Sequence, residues 1–302
     1  MTKRGWALFS AMALIWGIPY LLIKVAGNEV SPVFLVFFRT AAGAVLLAPI
    51  AAARGELRAV LRHWKPLIVY TVVEIAGPWL LLSEAERRVP SSFAALLIAA
   101  VPLVAAVLAW LIRSDDRLDR TRSIGLLVGL SGVAALVGLD VRAGDGWAVV
   151  ALVLVAVGYA SGPLIIARYL ADAPSMGVVA GSLVLAAVGY APWAVTRLPD
   201  RWPTPSVAWS LLLLAVVCTA LAFVLFFALI AEVGPSRSTV ITYLNPVVAT
   251  ALGITIGSEH FTLGMAVGFP LVILGSYLAT RRTKLAPATA NETVRAVAAT
   301  ER

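Results

Sequence analysis

A polytopic all-α membrane protein of ten transmembrane helices, built as two inverted five-helix repeats around a central cavity, is the fold this sequence predicts. Three observations carry it. Apolar stretches of membrane-spanning length recur from end to end, charge is too sparse to clothe a water-soluble globule, and landmarks of the first half return in order in the second. Of 302 residues, 61% are hydrophobic and 13% charged, with a mean hydropathy of +0.93. A soluble domain carries about 25% charged residues because its surface faces water. A β-barrel would show short alternating segments, and none occur.

The predicted spans are 6–26, 33–53, 66–83, 91–112, 123–139, 147–168, 174–195, 207–231, 237–257 and 262–280, close to the roughly 20 residues that cross a hydrocarbon core of about 30 Å. The first opens on "MTKRGWALFS", like a signal peptide, but its apolar run passes residue 20 with no small-residue cleavage site, so it reads as a retained helix. Pro32 stands at the start of the second, Glu74 interrupts the third and Pro102 lies midway along the fourth. The lone Cys218 falls in an apolar run, which excludes a disulfide framework and assigns it to packing. The polar segment 283–302 reads as a disordered tail on the cytoplasmic side.

With the N-terminus cytoplasmic, ten spans return the C-terminus to the same side. Seventeen Lys and Arg residues then fall on the cytoplasmic side, among them Lys3, Arg4, Arg54, Arg58 and Arg62, against five outside (Arg87, Arg88, Arg142, Arg197 and Arg201). That bias predicts N- and C-termini inside and a cell-membrane location. The net charge of +8 is thereby a topology signal, not a nucleic-acid footprint.

The halves repeat. Gly5-Trp6-Ala7 and Gly17 recur as Gly146-Trp147-Ala148 and Gly158, Pro19 and Lys24 as Pro163 and Arg168, Pro32 as Pro174, and Pro102 as Pro246. Gly125 and Gly132 recur as Gly268 and Gly275, and Asp116 as Glu259, all at an offset of 141 to 144. A unit of five helices is odd, so the second copy inserts upside down, giving repeats over 1–140 and 141–282. Inverted repeats that meet at the midplane are a hallmark of secondary transporters, and paired Gly/Pro interruptions point to the substrate site. This marks Gly17, Pro19, Pro78, Pro102, Pro163 and Pro246 as candidate hinges.

Taken together, "WGIPYLLIK" in the first helix, the early arginine of "FFRTAAG" in the second, the mid-helix prolines of the fourth and ninth and the acidic-then-glycine starts of the fifth and tenth resemble the EamA-type family of the drug/metabolite transporter superfamily, over residues 5 to 281. The resemblance implies a ten-helix fold around a cavity that a small organic solute (an amino acid, metabolite or drug-like compound) crosses, often outward. It leaves the substrate open.

Ionisable residues inside a membrane normally face a protein interior or a wet cavity. Glu74 lies about eight residues into the third helix, roughly 12 Å deep at 1.5 Å per residue. It reads either as a carboxylate for a cationic substrate or coupling proton, or as half of a buried ion pair that ties two helices. Arg39, roughly 10 Å deep from the other edge and about 8 Å from Glu74 in height, is the expected partner, as an anion contact or a helix anchor. Lys24 reads as snorkelling to the headgroups, or as facing the cavity beside the Gly17–Pro19 break. Glu84 and Glu86 read as solvated helix-end charges. "TYLNP", with Tyr243 and Asn245 beside Pro246, is the polar candidate for substrate contact in the second half. Trp16, Tyr20, Trp79 and Tyr159 are candidate aromatic walls with cation–π capacity; alternatively they are packing residues. Four GxxxG segments, at 125–129, 177–181, 253–257 and 264–268, read as close packing within the chain or, on the fifth and tenth helices, as a dimer face.

No P-loop, HExxH or GxSxG occurs, and both histidines, His63 and His260, fall in loops. The expectation is therefore a carrier, not an enzyme, with no metal or cofactor. Its partners are a small-molecule substrate, the lipid bilayer and protons or a counter-substrate, with no nucleic acid, and its state is monomer or homodimer. The alternative is a non-transporting receptor or a channel-like uniporter.

Overall fold

The computed structural model describes residues 2–112, 120–140, 145–234, 238 and 240–280, and no strand occurs among them. Nine helices among the described residues are long and apolar enough to span a membrane. They are α1 (Lys3–Ala26), α2 (Pro32–Ala53), α3 (Trp64–Ala85), α4 (Ser91–Leu111), α5 (Arg120–Asp140), α6 (Gly146–Tyr169), α7 (Ser175–Val195), α8 (Pro205–Val233) and α10 (Leu263–Thr280). The shorter α9 (Ile241–Thr255) is the tenth apolar helix. Large apolar side chains such as Leu14, Val45, Leu127, Val153, Val188 and Leu274 stand exposed along these helices. In water such a surface would aggregate; in a bilayer it is the lipid-facing girdle. The protein is a polytopic membrane protein. Asp116, the predicted tail from residue 283 and the basic residues Arg113, Arg117, Arg142, Arg237, Arg281 and Arg282 lie outside the described residues.

Helix starts follow local chemistry. Thr2 caps α1 by accepting from Gly5 N at 2.9 Å, and Ser31, followed by Pro32 at the first position, accepts from Phe34 N at 3.2 Å. At the other end, Gly55 takes φ 73° as the chain leaves α2, a left-handed turn that suits a residue without Cβ.

The packing partners reveal the inverted repeat. α2 packs on α7, α4 on α9 and α5 on α10, each helix against its own counterpart. Three further sets come as equivalents: α3 with α6 and α8 with α1, α4 with α6 and α9 with α1, α2 with α8 and α7 with α3. This is the pattern of a pseudo-twofold axis between the halves. The most extensive contact is α5 with α10, where glycines let backbones touch: a Cβ on Gly275 would strike Gly129, and one on Gly132 would lie 2.7 Å from Val272 N. In lipid, such close packing replaces the hydrophobic drive between helices. These glycines pack within the chain, the first of the two uses expected for the GxxxG segments.

Interruptions are unequal. α1 breaks at Ile18, between Gly17 and Pro19, and α4 breaks at Ala99–Ala100, just before Pro102. The helices run on through Pro163 and Pro246, so the breaks expected there are absent. The repeat is matched in another way: π-helical turns occupy Thr71–Ala76 of α3 and Val216–Leu221 of α8. Glu74 and Thr219 are each the fourth residue of their turn.

Candidate functional site

The site grows from the two π turns. Pro78 has no N–H, so the α-type bond it would make one turn back is missing, and α3 takes up the slack with a five-residue step from Gly77 N to Val72 O. The phenol of Tyr190 on α7 donates to Ala76 O at 2.9 Å, pairing a carbonyl beside the disturbed turn. In α8 the hydroxyl of Thr219 donates to Leu214 O, five residues back, at 2.8 Å. Such bulges widen a helix locally and recur at functional sites.

What occupies each turn differs. Arg39, on α2 and only 6% exposed, donates from Nε to Thr219 Oγ1 at 2.8 Å and from Nη2 to Cys218 O at 3.4 Å. Its Cζ lies 3.7 Å from the centroid of the Trp79 ring, a close cation–π stack. The equivalent of Arg39 in the second half is Gly181, which packs near Leu67 and Val60. Gly181 brings no guanidinium to the π turn of α3, and Glu74 Oε2 is buried with no hydrogen-bond partner. The carboxylate is seated on Gly162 of α6, where a Cβ would collide with it, and Gly158 makes room for Val73 O and Pro78. "GYASG" at 158–162 thus shapes the wall opposite Glu74; its spacing was visible in the sequence, but only the structure assigns its partner.

The expected Arg39–Glu74 ion pair is not formed. Arg39 stacks on Trp79, five residues beyond Glu74 and so about 7.5 Å further along the helix, and its donors are taken by Thr219 and Cys218. Around it lie Tyr20 and Tyr159, both within electrostatic reach of the guanidinium. Glu74, Arg39, Tyr20, Trp79 and Tyr159 therefore form one group drawn from α1, α2, α3 and α6, with Arg39, Tyr20 and Trp79 buried and Glu74 and Tyr159 partly exposed, floored by Thr219 of α8.

The remaining candidates stand apart. Trp16 packs against Phe223 and Phe226 of α8, at ring distances of 6.3 and 4.7 Å. Tyr243 lies with its hydroxyl 3.5 Å from Thr280 Oγ1, near the face of the bundle that carries the N-terminus. Asn245 meets the α1 break through its backbone carbonyl, 3.1 Å from where a Cβ on Gly17 would be, and its Oδ1 is buried without a partner. Lys24 does not snorkel: its ammonium donates to Glu86 O at 2.5 Å and Val89 O at 2.9 Å, holding α1 to the α3–α4 loop. Glu86 is not solvated: it is 1% exposed and neither carboxylate oxygen has a partner. Its position at the end of an apolar helix hid this, because the fold closes over the helix end. Among the described residues no group of three or more metal-ligating side chains occurs.

The sequence profile of the EamA-like transporter family matches residues 3–138 and again 146–281. The chain belongs to the EamA-like transporter family. It is similar to an uncharacterized inner membrane transporter, YedA, of Escherichia coli K12, at 27% identity over 93% of this chain and 94% of that one. It is also similar to an uncharacterized transporter, YvbV, of Bacillus subtilis, at 24% identity over 94% and 93%. A protein crystal structure covering 94% of this chain and all of its own shares the fold, with a TM-score of 0.66 at 23% identity. The protein is a membrane transporter of this family.

Proposed function

We propose that this protein is a secondary active transporter that exports a small organic solute across the cytoplasmic membrane by alternating access, with both termini inside. The halves 1–140 and 141–282 rock against each other, and the group around Glu74 meets the solute. One observation carries this reading: a buried carboxylate oxygen without a partner, in a π turn whose counterpart is filled by Arg39. An unpaired buried charge costs several kcal/mol, so the position favours a cargo cation or a proton. The aromatic faces of Trp79, Tyr20 and Tyr159 complete a wall suited to such a group.

The test begins with thermal stabilisation of the purified protein by a panel of small organic cations, amino acids and metabolites. The strongest stabiliser is then used for counterflow in proteoliposomes. Saturable counterflow that Glu74→Gln abolishes supports the proposal. A folded Glu74→Gln protein with full flux and unchanged pH dependence refutes the role of Glu74. Ohmic current indicates a channel-like uniporter, and binding without flux a receptor.

A further inference from the structure

A second carboxylate lies unpartnered at the far face, the one opposite the N-terminus. Glu86 sits one residue beyond α3, with both oxygens buried and unbonded. It lines a cavity of about 260 Å³ with Ile23, Lys24, Gly27, Asn28 and Arg87. Lys24 is close by, yet its ammonium is held by the backbone carbonyls of Glu86 and Val89. An ionised Glu86 in this arrangement would be a buried charge with no donor, which is costly; a neutral acid fits. Once ionised, its strongest neighbour is the Lys24 ammonium, and moving that ammonium to the carboxylate releases Val89 O, the carbonyl that fastens α1 to the α3–α4 loop, while the ion pair keeps α1 on the end of α3.

We propose that Glu86 is a proton-binding site that latches the far mouth of the bundle: protonated, it leaves Lys24 on the two carbonyls and the mouth closed, and ionised, it draws Lys24 away and the mouth opens. The proton leaves to solvent through the adjoining cavity. Lys24 and Tyr20 of α1, Arg39 of α2, Tyr159 of α6, neighbouring Arg87 and Glu259 of the α9–α10 loop are the charged and titratable groups around it. Burial pushes the Glu86 carboxyl well above the usual carboxylate range, Lys24 pulls it down, Glu259 pushes it up and Arg39 pulls it down, for a net rise. The proton affinity is raised in the closed arrangement. Protonation therefore stabilises closure fully below the open-state pKa, and that stabilisation is lost as pH rises through the closed-state one.

The proposal rests on the transport reading only in calling this mouth a gate, and the test needs no cargo. Ile23 is 1% exposed at the cavity and Asn28 is exposed. In full-length Cys218→Ser protein in detergent, maleimide labelling of Ile23→Cys is measured against pH and divided by that of Asn28→Cys, which corrects for the ionisation of an exposed thiol, and the Glu86→Gln protein carries the same two thiols as the control for burial. The expected ratio rises about tenfold from acid to alkaline pH, the bias given by 1.36 kcal/mol of differential proton binding. Glu86→Gln holds it low at every pH, and Lys24→Met holds it high at every pH. An unchanged pH rise in Glu86→Gln overturns the proposal, as does a Lys24→Met protein whose Ile23→Cys stays as protected as the parent. Failed counterflow with this labelling pattern intact would refute the transport reading alone.

Discussion

Adding one methyl group to Gly162 tests the geometry around Glu74. A Cβ there would lie 2.5 Å from Glu74 Cδ and 3.0 Å from Cγ and would overlap Oε2. The carboxylate must turn or α6 must withdraw, and overpacking of this kind costs about 1–3 kcal/mol. Replacing glycine in a helix interior returns about 1 kcal/mol of backbone entropy, so Gly162→Ala should destabilise by about 0–2 kcal/mol in total. In a Glu74→Ala background the obstacle is gone, and the same change should stabilise by about 1 kcal/mol. In a Glu74→Gln background, similar in size but uncharged, the clash should persist. Reversible unfolding in mixed micelles measures all six proteins, and the coupling between Gly162→Ala and Glu74→Ala should be about 1–3 kcal/mol. Equal effects of Gly162→Ala in the parent and Glu74→Ala backgrounds would refute the placement of the carboxylate on Gly162.

Thr219→Val should cost about 1–3 kcal/mol in thermal unfolding, because the buried Arg39 Nε loses its 2.8 Å acceptor. Arg39→Lys should not restore the parent, since an ammonium cannot serve both acceptors and stack flat on Trp79. Gly275→Ala should destabilise by about 1–3 kcal/mol by pushing against the backbone of Gly129, whereas Gly138→Ala, with nothing within 4 Å, should be neutral or gain up to about 1 kcal/mol. Glu259 accepts from Ser91 N at 2.7 Å, Ser91 Oγ at 2.8 Å and Ser92 N at 3.0 Å, and from the Ser92 hydroxyl. Partial burial pushes its carboxyl up, but the Ser92 and Ser91 hydrogen bonds outweigh burial and hold it below the ordinary value. The tie between the α9–α10 loop and α4 is thus fully present above the ordinary carboxylate range and lost as pH falls through the lowered pKa. Hydrogen exchange at the Ser91 and Ser92 amides should speed up in that acid window, and Glu259→Gln should remove the transition.

The membrane class, the near-complete set of spans and the duplication were legible because they depend on composition and on spacing along the chain. Arg39, Trp79, Tyr20, Tyr159 and Glu74 were all singled out as polar or aromatic groups in oily segments, and the fold does bring them together. Their partners were not legible. Arg39 was expected on Glu74 and binds Thr219, Cys218 and Trp79 instead. Trp16 and Tyr243 have the right chemistry, but their helices turn them toward Phe226 and Thr280. Glu86 was read as solvated because a helix end normally meets water, and here Lys24 and the loop after α3 close over it.

The sequence alone determined the solvent of this protein and its symmetry, since apolar runs must be buried in lipid and an odd-numbered repeat must invert. Tertiary structure decided which charges meet. Each residue added to a turn rotates the remainder of the helix by about 100°, so the π turns at Thr71–Ala76 and Val216–Leu221 reset the faces of α3 and α8. Arg39 fills one of these turns, Gly181 stands where a second arginine would be, and Glu74 is left with a buried oxygen free for another partner.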